Sequence, residues 1–152
     1  MGEGRVLPQG GLLMGIVQRS RTRIALSGRV ISGKGEGRYY MRQMGYRRQF
    51  IARLGIDPYI GTLNIKLSKK SCVMLAKIKA KRGMLVKGFT FKKKKFGDVS
   101  CYRAMLRGIG CILIAPRLSP YTEIAELIAP SSLRRLLKLK NGAVVRIAVF
   151  VK

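Results

Sequence analysis

The sequence contains no histidine and only six acidic residues. The side chain that most readily acts as a base near neutral pH is therefore missing. Cysteine is almost as scarce, with three in all: Cys72, Cys101 and Cys111. A structural zinc site needs about four ligands, drawn mostly from Cys and His, and this chain cannot supply them. The odd cysteine count, with no paired spacing, also argues against a secreted disulfide scaffold. The cysteines read as free thiols packed in a core, and a Cys101–Cys111 bridge across a hairpin stays open. Long apolar runs are lacking too. The longest, Gly110 to Pro116 and Ala143 to Val151, have the length of strands and fall far short of the ~18 residues that span a bilayer. The first residues include Leu12 and Leu13 but no continuous apolar stretch and no clear cleavage site. No signal peptide is expected, and the expected location is the cytoplasm.

What is abundant is positive charge. Lys and Arg number 32, for a net charge of +26 over 152 residues. Such a surface attracts polyanions. With 47% hydrophobic residues the chain is nevertheless no disordered basic tail, and its length suits one domain with a real core. Two classes fit the charge: a nucleic-acid or ribosome-associated protein, and a phosphate-handling enzyme working where salt screens the repulsion.

Residues 1–25 read as an N-terminal extension, with Pro8, Gly10, Gly11 and alternating Arg19, Arg21 and Arg23. The domain then runs over residues 26–152. Ala25 to Ile31 alternates apolar and polar residues, which predicts a strand. Gly33 to Gly37 is a loop, and Tyr39 and Tyr40 suit a short extended piece. Tyr46, Phe50, Ile51 and Leu54 have helical spacing, closed by Gly55 as a C-cap. Asp57-Pro58-Tyr59 is a turn. Leu63, Ile65 and Leu67 line one face of a strand. Further strands are expected over Met84 to Phe91, Val99 to Leu106, Cys111 to Ala115 and Ala143 to Val151. Lys92 to Lys95 lie at a hairpin end, a solvated charge run that blunts an edge. Glu123 to Ile128 and Leu133 to Leu137 read as short helices, and Asn141-Gly142 as a turn. Many short strands with three short helices predict a mainly β fold, a small barrel.

Three motifs carry chemistry. In Ser32-Gly33-Lys34-Gly35-Glu36-Gly37-Arg38, three glycines alternate directly after a strand. Glycines let a ligand approach the backbone closely, and successive N–H groups form an anion nest. No Gly-Lys-Ser/Thr leads into a helix, so this is not a Walker A loop; a plain hairpin turn is the alternative. Thr62 and Asn64 lie two apart on a strand and face one way. They offer two oxygens suited to Mg²⁺, or simply form a polar face. Glu123 and Glu126 stand three apart in a chain poor in acids, on one face of the expected helix; surface charge is the alternative there.

The four segments SGKGEGRYYM, GYRRQF with its following LG, PYIGTLNIKL and the stretch from Ile124 to Ile147 together resemble the archaeal CTP-dependent riboflavin kinases. The resemblance covers residues 28 to 151, in order. It implies a six-stranded cradle-loop barrel related to riboflavin synthase and to swapped-hairpin domains. It also implies transfer of the γ-phosphoryl group of CTP to the 5′-hydroxyl of riboflavin, giving FMN and CDP. On that resemblance Gly33, Lys34, Gly35, Glu36, Gly37 and Arg38 hold the nucleotide phosphates, with Tyr39 alongside. Ser131, Ser132, Leu133 and Arg134 line the cytidine pocket, and Thr62 and Asn64 hold Mg²⁺. Glu126 contacts the flavin and is the candidate to orient the acceptor hydroxyl or take its proton. Where relatives carry a flavin-contacting Thr, this chain has Arg117-Leu118-Ser119-Pro120; Leu118 lacks the hydroxyl and Ser119 offers one a residue later. The competing expectations are a basic nucleic-acid-binding barrel without catalysis and a dimerising swapped-hairpin domain. With either function, +26 predicts weak, sequence-independent nucleic-acid binding.

Overall fold

A computed structural model describes residues 21–33, 35–117 and 122–152. Its strands are β1 (Thr22–Ile31), β2 (Leu63–Leu67), β3 (Met84–Val86), β4 (Phe89–Phe91), β5 (Lys94–Phe96), β6 (Val99–Leu106), β7 (Ile109–Pro116), β8 (Ile124–Ile128) and β9 (Val144–Val151). Its helices are α1 (Glu36–Met41), α2 (Met44–Gln49), which runs on into a π-helical turn (Phe50–Leu54), α3 (Lys69–Lys79) and α4 (Leu133–Leu136). The strands run in the order β9-β1-β2-β8-β7-β6, and β6 pairs back with β9 through Ile147↔Leu106 and Val149↔Ala104. Every pairing is antiparallel, so the six strands close into a barrel and leave no open edge. The mainly β barrel expected from the sequence is thus the fold. β3 pairs with β6 outside the ring, and β4 and β5 form a separate hairpin.

Alternation along the strands divides the apolar residues into two cores. Leu26, Val30, Ile65, Leu113, Leu127 and Ile147 fill the barrel interior, where Leu75 and Ile78 of α3 join them. Cys101, Ile112, Ile114 and Ile128 face outward and are covered by Met41, Tyr46, Phe50 and Leu54. Phe50 is completely buried there, so its truncation to Ala should cost about 3–5 kcal/mol. Tyr46 is fastened within this layer by its hydroxyl, which donates to the Gly97 carbonyl at 2.7 Å.

Several local expectations are corrected. Tyr39 and Tyr40 lie in α1, not in an extended piece. Their rings pack one edge against Phe96, at 6.1 and 6.0 Å between centroids, and keep the rest exposed. Glu123 to Ile128 is not a helix: Ile124–Ile128 is strand β8, inserted between β2 and β7. Ala125 and Leu127 face the interior while Ile128 lies under the outer layer. Burial on both faces produced apolar residues at helix-like spacing. Helix α3 has no counterpart among the three helical stretches read from the sequence. Ser68 caps it by accepting from the Ser71 amide at 3.2 Å, and Ser71, Leu75 and Ile78 form its buried stripe. β1 begins at Thr22, inside the stretch read as extension; residues 1–20 lie outside the described residues.

Candidate functional site

The glycine segment leaves β1 and enters α1 at Gly35, which holds φ at +85°. A residue with a Cβ is strained at that angle. The first helical bond runs from the Tyr39 amide to the Gly35 carbonyl at 3.2 Å. The amides of Glu36, Gly37 and Arg38 therefore have no partner within the helix. Lys34 and the side chain of Glu36 lie outside the described residues.

The flanking glycines explain how the loop meets the Thr62–Asn64 segment. A Cβ on Gly33 would collide with the Asn64 amide nitrogen, and a Cβ on Gly37 with the Thr62 hydroxyl. Both side chains thus lie directly against the loop. Their shared face holds a third group. Asn64 pairs across the strands with Glu126, and the Thr62 hydroxyl lies 3.4 Å from Glu126 Oε1. Thr62, Asn64 and Glu126 are all half-buried, so three oxygen-bearing side chains converge beneath one glycine loop. Placing Glu126 on a strand, not a helix, is what brings it there. Glu123 points elsewhere, to Lys66 Nζ at 3.4 Å. Burial lowers the Lys79 ammonium below its ordinary value, and the Glu126 carboxylate pulls it partly back. Glu126 therefore sits in a positive field.

A cavity of about 250 Å³ opens beside this face, and its walls include Arg38, Thr62, Ser131, Ser132, Leu133 and Arg134. Of the expected nucleotide set, Arg38 from the glycine segment and Ser131 to Arg134, far apart in sequence, line one cavity; the other described residues of the glycine segment do not. Ser132 also caps α4, accepting from the Arg135 amide at 3.4 Å. Arg134 acts as a strut: it donates to the carbonyls of Ile31 (3.2 Å) and Leu139 (3.4 Å) and to Asn141 Oδ1 (3.0 Å). Asn141 in turn donates to the Ser32 hydroxyl at 2.8 Å, locking the start of the glycine loop to the α4 loop. Tyr59 and Arg135 also line the cavity. Reading the sequence did not single out these two as site residues, although Tyr59 stands inside the quoted PYIGTLNIKL motif.

The aromatic cluster next to α1 was legible only in part. Tyr39 and Tyr40 are exposed at 43% and 40%. Behind them Phe96 stacks on Phe89 with centroids 4.8 Å apart. Lys94, from the lysine run, lies 4.5 Å from the Tyr39 ring centroid. Lys92 and Lys93 form the hairpin tip with positive φ, as expected for that run. Leu118 and Ser119 lie outside the described residues. The segment before them is anchored by the Arg117 amide, which donates to the Asp98 carbonyl at 2.9 Å, two residues from Phe96.

Thr62 and Asn64 offer hard oxygen donors, which fit a small divalent cation whose shell is completed by phosphate and water oxygens, and leave the Glu126 carboxylate beside them as an acceptor. No group of three or more His, Cys, Asp or Glu that could hold a metal occurs among the described residues. Cys101 and Cys111 are free. They lie in the outer and the interior core respectively, on opposite faces of the sheet, which rules out the bridge left open above. No helix among the described residues is long and apolar enough to cross a membrane.

A family model named CTP-dep_RFKase, with the description "Domain of unknown function DUF120", matches residues 30–149. The chain is similar to a protein named riboflavin kinase from Picrophilus torridus, 42% identical over 131 residues, which is 86% of this chain and 59% of that protein. A protein of the same name from Ignicoccus hospitalis is 43% identical over 128 residues, 84% of this chain and 72% of that protein. Another from Pyrobaculum islandicum is 40% identical over 155 residues, 97% of this chain and 74% of that protein. The chain spans less than two thirds of the length of several such relatives. A family match over residues 30–149 and identity at this level over most of the chain mean that the chain belongs to the archaeal CTP-dependent riboflavin kinase family.

Proposed function

We propose that this protein transfers the γ-phosphoryl group of CTP to the 5′-hydroxyl of riboflavin, releasing FMN and CDP. The observation that carries the reading is the convergence of the glycine loop, Thr62, Asn64 and Glu126 beside a cavity walled by Ser131 to Arg134. The names of the relatives support riboflavin as acceptor, and the family name supports CTP as donor.

Phosphoryl transfer is catalysed mainly by positioning and charge neutralisation. The Gly33–Arg38 segment cradles the phosphates with backbone amides, and Arg38 adds a cation. The α4 loop holds the cytidine end, with the Arg134 strut fixing the distance between the two. Thr62 and Asn64 hold Mg²⁺, which when bound neutralises phosphate charge. Glu126 accepts a hydrogen bond from the riboflavin 5′-hydroxyl and orients it. The hydroxyl oxygen forms its new bond to the γ-phosphorus as the bond from that phosphorus to the β–γ bridging oxygen breaks. The hydroxyl proton passes to the Glu126 carboxylate, and CDP carries away the electron pair. The exposed faces of Tyr39 and Tyr40 suit a flat flavin ring, with Phe96 behind them. Leu118 and Ser119 complete the flavin contacts on this reading.

The test is direct. Purified protein with riboflavin, Mg²⁺ and CTP should yield FMN, separable by chromatography and read by flavin fluorescence. ATP, GTP and UTP in parallel establish the donor. No FMN with any of the four would refute the reading. Alongside this activity, the charge supports weak, salt-sensitive binding to nucleic acid, about 10⁻⁴ to 10⁻⁶ M near physiological salt.

A further inference from the structure

We propose that the protein has a second anion site, between Arg21, Arg82 and Arg103, which takes a phosphate monoester carried on an apolar ring. The site stands apart from the glycine-loop cavity and does not depend on the kinase reading. Two cavities of about 250 and 230 Å³ share Arg21, Arg103 and Phe150. Together they fall within the ~300–1,000 Å³ range of small-molecule sites. Arg82 and Lys152 stand in one of them. Neither shares a lining residue with the glycine-loop cavity, although Pro130, in one of them, lies in the α4 loop between Ala129 and Ser131 of that cavity.

The charges of this cleft are uncompensated. Among the described residues, no hydrogen bond or ion pair engages the guanidinium of Arg21, Arg82 or Arg103. The Nε of Arg21 is fully buried and has no partner among the described residues. A buried donor left without an acceptor costs about 1–3 kcal/mol. The described acids are committed elsewhere. Asp57 pairs with Arg47, Glu123 with Lys66, Asp98 accepts from the Gly88 amide, and Glu126 faces Thr62. No Asp or Glu side chain lines either cavity; arginines gathered without an acidic side chain repel one another, and an anion with several oxygens relieves that. The planar guanidinium fork matches phosphate in particular.

The walls set the rest of the ligand. Arg103 follows Cys101 on the outer face of β6, just past the area that Phe50 and Leu54 cover. Beside it lie Met105, Ile112 and Phe150 in one cavity, and Leu54 and Met84 in the other. An apolar floor rimmed by guanidiniums fits an organic phosphate better than a bare ion, which would leave that floor wet.

The test uses full-length ¹⁵N-labelled protein at physiological salt, titrated separately with FMN, CMP and a ten-nucleotide RNA. Binding at the proposed site moves the amide signals of Met105, Gly110 and Phe150, whatever happens at the glycine loop. The response to FMN against CMP tells which monoester is the ligand. Arg82→Gln/Arg103→Gln should weaken that binding at least tenfold. Lys93→Gln/Lys95→Gln, with the same charge loss at the hairpin, should leave it unchanged. Met105→Glu, at an exposed position, places a carboxylate at the rim and should abolish binding without removing an arginine. Without ligand the double arginine variant should melt no lower than the wild type, because the removed charges repel. No shifts at those amides with millimolar FMN or CMP would overturn the proposal. So would equal weakening in the two double variants, which would mean diffuse charge, and so would a response to RNA alone.

Discussion

Gly37→Ala tests the contact on which the site is built. The added methyl would collide with the Thr62 hydroxyl, with Thr62 Cγ2 at 2.9 Å and Cβ at 3.1 Å behind it. Rotating Thr62 gives no relief, because a β-branched side chain exchanges one branch for the other. The α1 start and the Thr62 segment must therefore move apart. Overpacking of this kind costs about 1–3 kcal/mol. Replacing a helical glycine by alanine returns about 0.5–1 kcal/mol, so the net destabilisation should be about 0–2.5 kcal/mol. The effect on rate should be much larger. A shift of ~1 Å in a positioning group can cost ~10²-fold in turnover, and here the group carrying the Thr62 oxygen is displaced from Asn64 and Glu126. Urea unfolding measures the first quantity, and the initial rate of FMN formation across a Mg²⁺ series measures the second. Gly37→Ala/Thr62→Ala should recover the stability and not the rate, since the collision and the oxygen are removed together. Gly35→Ala makes the contrast: nothing lies within 4 Å of its new methyl, and the cost comes only from φ at +85°, about 1–2 kcal/mol. A Gly37→Ala enzyme with wild-type rate and wild-type Mg²⁺ dependence would refute the reasoning.

Asn64→Ala and Thr62→Val, made separately, should each lower turnover and raise the Mg²⁺ concentration required; a variant with the wild-type Mg²⁺ curve shows that its residue is not a ligand. Glu126→Gln should lower turnover at saturating CTP and Mg²⁺ far more than it lowers CTP affinity, and normal turnover with a normal riboflavin KM would return Glu126 to a structural role. Burial pushes the Cys101 and Cys111 thiols up from 9.0 to about 12, and the Tyr46 phenol from 10.0 to about 12. The unfolded chain therefore loses these protons first, so stability holds below pH 9 and falls as pH rises from about 9 to about 12. Denaturant midpoints measured over that range should decline, and a flat profile contradicts the burial of these groups. Alkylation of the native protein at pH 8 should spare both of these thiols.

The sequence by itself determined the strands whose two faces differ. Leu63, Ile65 and Leu67 alternate with polar neighbours because one side of β2 meets the barrel interior and the other does not. The turn at Asn141-Gly142 and the αL cap at Gly55 were legible for one local reason: backbone angle selects residue type. The hairpin tip at Lys92 and Lys93 was legible from its run of charge instead, since its positive φ favours glycine or asparagine. The pairing of Thr62 with Asn64 needed only the period of two. Tertiary structure decided what depends on burial from two sides or on contacts between distant segments. β8 reads as a helix because layers above and below it both demand apolar residues. Glu126 joins Thr62 and Asn64 only through the β2–β8 register. Gly33 and Gly37 gain their meaning from side chains some thirty positions away. Barrel closure rests on β6 meeting β9, and the arginine cleft gathers residues from the start, middle and end of the chain. No local pattern records such proximity, because the energy that enforces it is packing and hydrogen bonding across the barrel wall.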